Sequence, residues 1–376
     1  MRRACTYIMI TGCASAEQTA AFAKCSSAVE QNYRIFDDLV LSNVGVGTYL
    51  GEPDAPTDEL VKQAVIASVK GGINVIDTAI NYRSQKAERS VGAAVSELSD
   101  DGITRECLFI STKNGYVTND ADVNEEFWTY IQNRFVKSGI IKAGDISSQY
   151  HCMTVSYLAD QLERSLSNLN LECIDLLYLH NAAEGQLQDI SKKQFLGNLR
   201  DVFELYEKKR REGLIRYYGL ATWECFRVAP DNPLHVSLEE VLHMAREAGG
   251  GKHGFRFIQL PYNMYMDQSL MMQNQHHAGR LVSIFEAAMA NNIGVFTSVP
   301  FMQGRLLAPG TMPEFGSLAP AMRALQFIRS TPGVLAPLVG HKLAEHVSEN
   351  LGVMKIPSLS EDEFRSILMS LTGKQS

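Results

Sequence analysis

The chain has 376 residues, 45% of them hydrophobic and 20% charged, enough to build one large α/β barrel or two domains of ordinary size. A formal net charge of −7 and a pI of 5.8, with no basic stripe, exclude a nucleic-acid surface, because neutralising phosphates needs clustered Lys and Arg. No apolar run is long enough for a membrane span, and the seven scattered cysteines form no C-x-x-C, so a reducing, cytoplasmic compartment is expected.

Residues 1–32 stand apart. They start basic, carry a short apolar stretch and an Ile-Thr-Gly-Cys13 resembling a lipoprotein cleavage site, and continue as the acid-poor AFAKCSSAV. They are expected to be a disordered or targeting extension outside the folded domain, which spans 33–376.

From residue 33 onward, short β-branched runs alternate with helical periodicity. YRIFDDLVLS has strand character, as a hairpin or a lid, and VGVGTYL (44–50) reads as the first repeat strand. Thr57 is the expected cap of the next helix, with Asp58 and Glu59 in its first turn and Val61, Ala64, Val65 and Val69 on one face before Gly71-Gly72. INVIDTA (73–79) and CLFISTK (107–113) follow as strands, separated by a helix carrying Val91, Ala94, Val95 and Leu98. The next helix, Thr154 to Leu169, has leucines at 3–4 spacing and leads to the strand CIDLLYLH (173–180). Strands at 215–223, 255–263, 293–300 and 334–340 alternate with helices near 196–212, 237–248, 281–291 and 319–330. Eight strand–helix pairs without a linker point to an α/β fold, a single (β/α)8 TIM barrel.

In such a barrel the C-terminal strand ends carry the site. Those ends offer Asp77 and Tyr82, then Lys113, then His180, with Thr222 and Gln259 farther round. A lone Lys or His at a strand end is ordinarily structural, but a buried Asp, Lys and His facing one mouth need one another as partners. Together they make a proton-donating set: Lys113 is expected to lower the pKa of the Tyr82 phenol, Asp77 to hold Lys113, and His180 to orient a carbonyl oxygen. The set has no electron source, so a hydride donor must be bound.

The stretches GINVIDTAINY, FISTK, DLLYLHN, YYGLATW, IQLPYN and PLVGHK with SENL resemble the aldo-keto reductases over about Val44 to Asn350. The resemblance implies Asp77, Tyr82, Lys113 and His180 as a catalytic tetrad, NADPH (NADH less so) as hydride donor, and a small-molecule carbonyl as substrate. It implies cofactor contacts from Gly47, Thr48, Thr222, Gln259, Ser298, Lys342, His346, Glu349 and Asn350. Gln259 matches the residue holding the nicotinamide carboxamide, Lys342 the basic position at the 2′-phosphate, and Glu349 and Asn350 the adenine contacts. The departures are Ala221-Thr222 for a Ser-Asn pair, Ser298 for a stacking aromatic ring, and His346 for an Arg. Oxidation of a sugar or alcohol with NAD(P)+, or NADPH sensing without turnover, are the alternatives.

Tyr82 and Lys86 also form the Tyr-x-x-x-Lys of short-chain dehydrogenases. The only candidate dinucleotide turn, Gly45-x-Gly47-x-x-x-Gly51, has the wrong spacing and runs into Glu52-Pro53-Asp54 rather than a helix. His276-His277 are adjacent and diverge, which argues against a metal. The segment 115–153 is long for a barrel loop; EEFWTYIQNRF within it is expected to form a short helix with Phe127, Tyr130 and Phe135 inward, and the segment either to roof the substrate pocket or merely to cap the barrel.

Overall fold

The computed structural model describes residues 9–372. Helix α1 (Ala16–Cys25) precedes an antiparallel hairpin of β1 (Tyr33–Phe36) and β2 (Leu39–Ser42). The first repeat pairs β3 (Gly45–Gly47) with α2 (Ala55–Lys70), and the second β4 (Val75–Asp77) with α3 (Lys86–Asp100). Strand β5 (Phe109–Asn114) leads through the long segment, with its short α4 (Phe127–Ile131), to α5 (Val155–Leu169). Next come β6 (Ile174–His180), α6 (Ala182–Gln186), α7 (Lys192–Arg211), β7 (Ile215–Ala221), α8 (Leu238–Gly249) and β8 (Phe255–Pro261). The short α9 (Gln268–Met271) and a hairpin of β9 (Gln275–His277) and β10 (Arg280–Val282) precede α10 (Ile284–Ala290). The chain closes with β11 (Gly294–Ser298), α11 (Pro320–Arg329), β12 (Val334–Gly340), α12 (Ala344–Leu351) and α13 (Glu361–Thr372).

The eight parallel strands close in the order β3-β4-β5-β6-β7-β8-β11-β12, as the alternation predicts. Alternate residues point inward and outward along each strand. The inward set, Val75, Phe109, Leu176, Tyr178, Phe257, Phe296 and Leu338, fills the barrel. The outward set packs on helical stripes such as Leu158, Leu162, Leu166 and Leu169 of α5. Helix α2 is capped by Asp54, which accepts from the Thr57 backbone N–H at 2.9 Å; Thr57 itself is not the cap. Pro56 suits the first turn, where no backbone donor is missed.

The N-terminal region departs from expectation. Residues 1–8, with the basic start, lie outside the described residues, but 9–32 are built into the base of the barrel. Ile10 pairs with the strand entry at Leu171, the Ala14 N–H donates to Asp175 at 2.6 Å, and buried Thr19 accepts from the Val40 N–H at 3.1 Å. Asn32 donates to the carbonyls of Met354 and Ile356 at 2.7 and 2.9 Å. These partners are remote in sequence, so local composition does not reveal them. The hairpin β1–β2 is likewise no lid: Phe36, Leu39 and Leu41 join the inward cluster and plug the end opposite the site.

Candidate active site

Strand β4 ends at Asp77, whose Oδ2 lies 2.5 Å from Lys113 Nζ. Its other oxygen accepts from Ser111 Oγ at 2.7 Å and Gln259 Nε2 at 3.0 Å. Lys113 is fully buried and donates a second bond to the Thr78 carbonyl at 2.8 Å. Burial pulls the Lys113 pKa down, and the neighbouring Asp77 charge opposes that shift.

Tyr82 lies above this pair, its ring centroid 4.8 Å from Lys113 Nζ and 5.8 Å from that of His180. The expected lowering of its pKa is not seen. Lys113 is committed to Asp77 and Thr78, and desolvation followed by the Asp77 charge raises the Tyr82 pKa well above the usual value. Tyr82 is a neutral phenol. His180 is neutral too, its pKa pushed well down by burial, Lys113 and His151, and its Nδ1 is buried without a partner.

Behind His180, buried His151 donates from Nε2 to the His180 carbonyl at 2.8 Å and accepts from Gln186 Nε2 at 3.1 Å through Nδ1. A Cβ at Gly115 or Gly185 would come within 2.5 or 2.6 Å of its ring, so both glycines are required by this imidazole. Following Tyr82, Arg83, Ser84 and Gln85 all adopt left-handed φ of 49°, 50° and 77°. Each such residue stores about 1–3 kcal/mol. The turn is held by Arg83 to Asp58 at 2.5 Å and by Gln85 to the Asn119 carbonyl at 2.9 Å.

A cavity of about 860 Å³ opens at this mouth and continues as a groove toward α12. Gly47, Thr48, Asp77, Tyr82, His180, Thr222, Gln259, Ser298, Lys342, His346, Glu349 and Asn350 all line it, while Lys113 lies beneath Asp77. Gly45 has a packing role, since a Cβ there would meet Leu338 at 2.7 Å; at Gly47 the nearest atom is 3.6 Å away, so its bare face is left to the cavity. Lys342 Nζ donates to the Leu50 carbonyl at 3.2 Å, bridging the groove walls, and Asn350 Oδ1 is buried without a donor.

Sequence reading missed Tyr49, Tyr116, Asn181 and Trp223, all in the wall, and Phe301 and Gln303 in the loop after β11. Tyr49 and Trp223 each directly follow a residue assigned to the site, a signal available in the chain. From the long segment 115–153 only Tyr116 reaches the cavity. Tyr130 and Phe135 are buried as expected and Phe127 is half-buried, but Phe135 packs on Tyr157 of α5 at 5.0 Å, so of the two roles expected for the segment the capping of the barrel flank is the one seen, while residues of the loop after β11 line the mouth.

Residues 43–317 match the sequence profile of the aldo/keto reductase family. The chain belongs to this family. An uncharacterised oxidoreductase of Bacillus subtilis, YqkF, is 26% identical over 186 residues, spanning 49% of this chain and 46% of its own length. The chain thus matches about half of that curated relative. An aldo/keto reductase of Klebsiella pneumoniae in complex with NADP and acetate superposes with a TM-score of 0.60 at 20% identity, over 91% of this chain and 95% of its own. A glycerol dehydrogenase of Gluconobacter oxydans superposes at 0.62 and 18% identity, over 92% and 96%. At these identities the likeness establishes the aldo/keto reductase fold. No described helix is long and apolar enough to cross a membrane. No group of three or more potential metal ligands occurs among the described residues.

Proposed function

We propose that this family member reduces the carbonyl of a small molecule to an alcohol, with NADPH as hydride donor and Tyr82 as general acid. The observation that carries the reading is the buried Asp77–Lys113 pair beneath the Tyr82 phenol and His180, all at one cavity. The cavity residues fit the cofactor: Lys342 offers a cation to a 2′-phosphate, Asn350 Oδ1 an acceptor without a donor, and Gly47 an open backbone face. The Klebsiella relative was crystallised with NADP, which supports the same choice here.

When bound, NADPH would supply the hydride. The protein's own part is proton supply and orientation. Tyr82, neutral across the physiological range, holds the proton that the substrate oxygen takes up. Once it is given, the Lys113 ammonium stabilises the phenolate left behind, and Asp77 keeps Lys113 in place. Neutral His180 orients the carbonyl oxygen. Tyr49, Tyr116 and Trp223 supply an aromatic wall for the rest of the substrate. The same residues serve alcohol oxidation in reverse, a direction in keeping with the structural likeness to a glycerol dehydrogenase.

The test is NADPH consumption by purified protein over a panel of aldehydes and ketones, with Tyr82→Phe alongside. Turnover that the substitution abolishes supports the reading. Tight NADPH binding with no turnover on any carbonyl would favour a sensing role instead.

A further inference from the structure

The turn that follows β7 is organised around one carboxylate oxygen. Glu184 Oε1, from α6, accepts from Thr222 Oγ1 at 2.6 Å and from the consecutive backbone N–H groups of Trp223, Glu224 and Cys225 at 2.9, 2.5 and 3.0 Å. Its other oxygen, Oε2, is buried with no partner. A buried carboxylate oxygen left unpaired is a cost, which calls for a role beyond stapling a loop.

That role follows from donor and acceptor bookkeeping at Thr222. Its hydroxyl has one proton, and the charged carboxylate at 2.6 Å takes it in preference to the Cys225 thiol sulfur at 3.0 Å. Toward the cavity Thr222 can therefore only accept. Gln259, on the neighbouring strand, is constrained in the same sense. Its Nε2 donates to Asp77 Oδ1 at 3.0 Å, and the reverse orientation would set a carbonyl oxygen against a carboxylate, so the amide is held with Oε1 free of that bond and able to accept from a ligand. The two residues are adjacent, joined by a 2.8 Å bond from the Thr222 N–H to the Gln259 carbonyl, and both line the cavity. Ala221, in the strand position before Thr222, has no side-chain donor to add.

We infer that Glu184 is a positioning residue which, acting through Thr222 and alongside the Asp77–Gln259 bond, makes this wall a paired acceptor for the –NH2 group of a primary carboxamide on the cofactor ring. The inference rests on the proposed NADP(H) site and deepens it. A ring bearing an acetyl group in place of the carboxamide presents a methyl where the wall requires two N–H donors. A site built to hydrogen-bond a group rejects an analogue lacking it.

The probes are NADP+, its 3-acetylpyridine analogue, and 2′,5′-ADP, which lacks the ring altogether; binding is read by quenching of tryptophan fluorescence, Trp223 being in the wall. The wild-type protein should bind NADP+ about tenfold or more tighter than the analogue. Thr222→Val and Glu184→Ala, which remove one of the two acceptors and leave Gln259, should lower that ratio severalfold while leaving 2′,5′-ADP affinity unchanged. Glu184→Gln, whose carbonyl oxygen can accept the same four donors, should retain it and serves where the alanine variant fails to fold. Equal wild-type affinity for the two dinucleotides, or an unchanged ratio in Glu184→Ala, would overturn the inference and leave the proposed function standing. Failure of the wild type to bind both NADP+ and 2′,5′-ADP would overturn the proposed function itself.

Discussion

Lys113 and Asp77 form an ion pair of 2.5 Å at the floor of the cavity, with both side chains almost wholly buried. The pair is bonded on every side, Asp77 by Ser111 and Gln259, Lys113 by the Thr78 carbonyl. Two charges in such a place are costly separately and tolerable together. Lys113→Met strands the Asp77 carboxylate and is expected to cost about 3–5 kcal/mol of stability. Its effect on rate should approach that of Tyr82→Phe, a loss of about 10² to 10⁴. Chemical denaturation and steady-state kinetics on the two variants check both expectations.

Tyr82, the acid in the proposed reaction, is protonated at all ordinary pH values because burial raises its pKa above the usual 10, and His180 is neutral because burial lowers its own below 6.5. Carbonyl reduction is therefore expected to show no ionisation of either group between pH 6.5 and 9. The rate should fall only at alkaline pH, as the phenol loses its proton. A pH profile of kcat that rises or falls through a pKa near 7, and does so in Thr222→Val as well, would contradict this assignment.

Stability should depend on pH through His151. Its pKa is depressed from 6.5 to about 4 by burial, so the unfolded chain takes up a proton that the folded one refuses. Above pH 6.5 the imidazole is neutral in both states and the full stability is present. It is lost as pH falls from 6.5 toward 4, by about 3 kcal/mol in all for this one group. The melting temperature of His151→Asn should fall less steeply over that window than that of the wild type.

Much of this was legible in the sequence, and the reasons differ by element. Alternation of period 2 and period 3.6 is a local signal, so the eight repeats and the helices α5 and α8 lie where periodicity puts them. The strand-end rule then brings Asp77, Lys113 and His180 together although they lie 36 and 67 residues apart. Contacts that depend on tertiary placement were hidden. Glu184 reads as an ordinary helix acid until the turn at 222–225 folds onto it, and Ala14 and Thr19 sit in a stretch with the composition of a leader. The Tyr82 pKa went the opposite way from expectation because charge pairing is readable from residue types, whereas the depth of burial is not.

The N-terminal segment supplies a further expectation. Deleting residues 1–29 removes the Ala14–Asp175 bond, the Thr19–Val40 bond and the Val29–Met354 backbone bond, and uncovers the hairpin below the barrel. At about 1 kcal/mol per bond, with apolar burial in addition, the loss should be about 3 kcal/mol or more. A melting temperature equal to that of the full chain would show the segment to be dispensable.

Lys342 should act on one cofactor and not the other. In the proposed cofactor site its ammonium would meet the 2′-phosphate, and a hydrogen bond to a charged group contributes about 1.5–3 kcal/mol. Lys342→Met should raise the KM for NADPH by about tenfold or more and leave that for NADH nearly unchanged. Parallel loss with both cofactors would mean that its bond to the Leu50 carbonyl, rather than the phosphate, is what counts.

Hydride transfer from the cofactor to a carbonyl carbon at this cavity can be followed by isotopic labelling. NADPH carrying deuterium on the transferred position of C4 would be incubated with the enzyme and the best carbonyl from the panel, and the product alcohol analysed by mass spectrometry. One deuterium is expected on the carbinol carbon, and none when Tyr82→Phe is used. NADPH oxidised without deuterium in the alcohol, or an alcohol labelled equally by the Tyr82→Phe variant, would contradict this expectation.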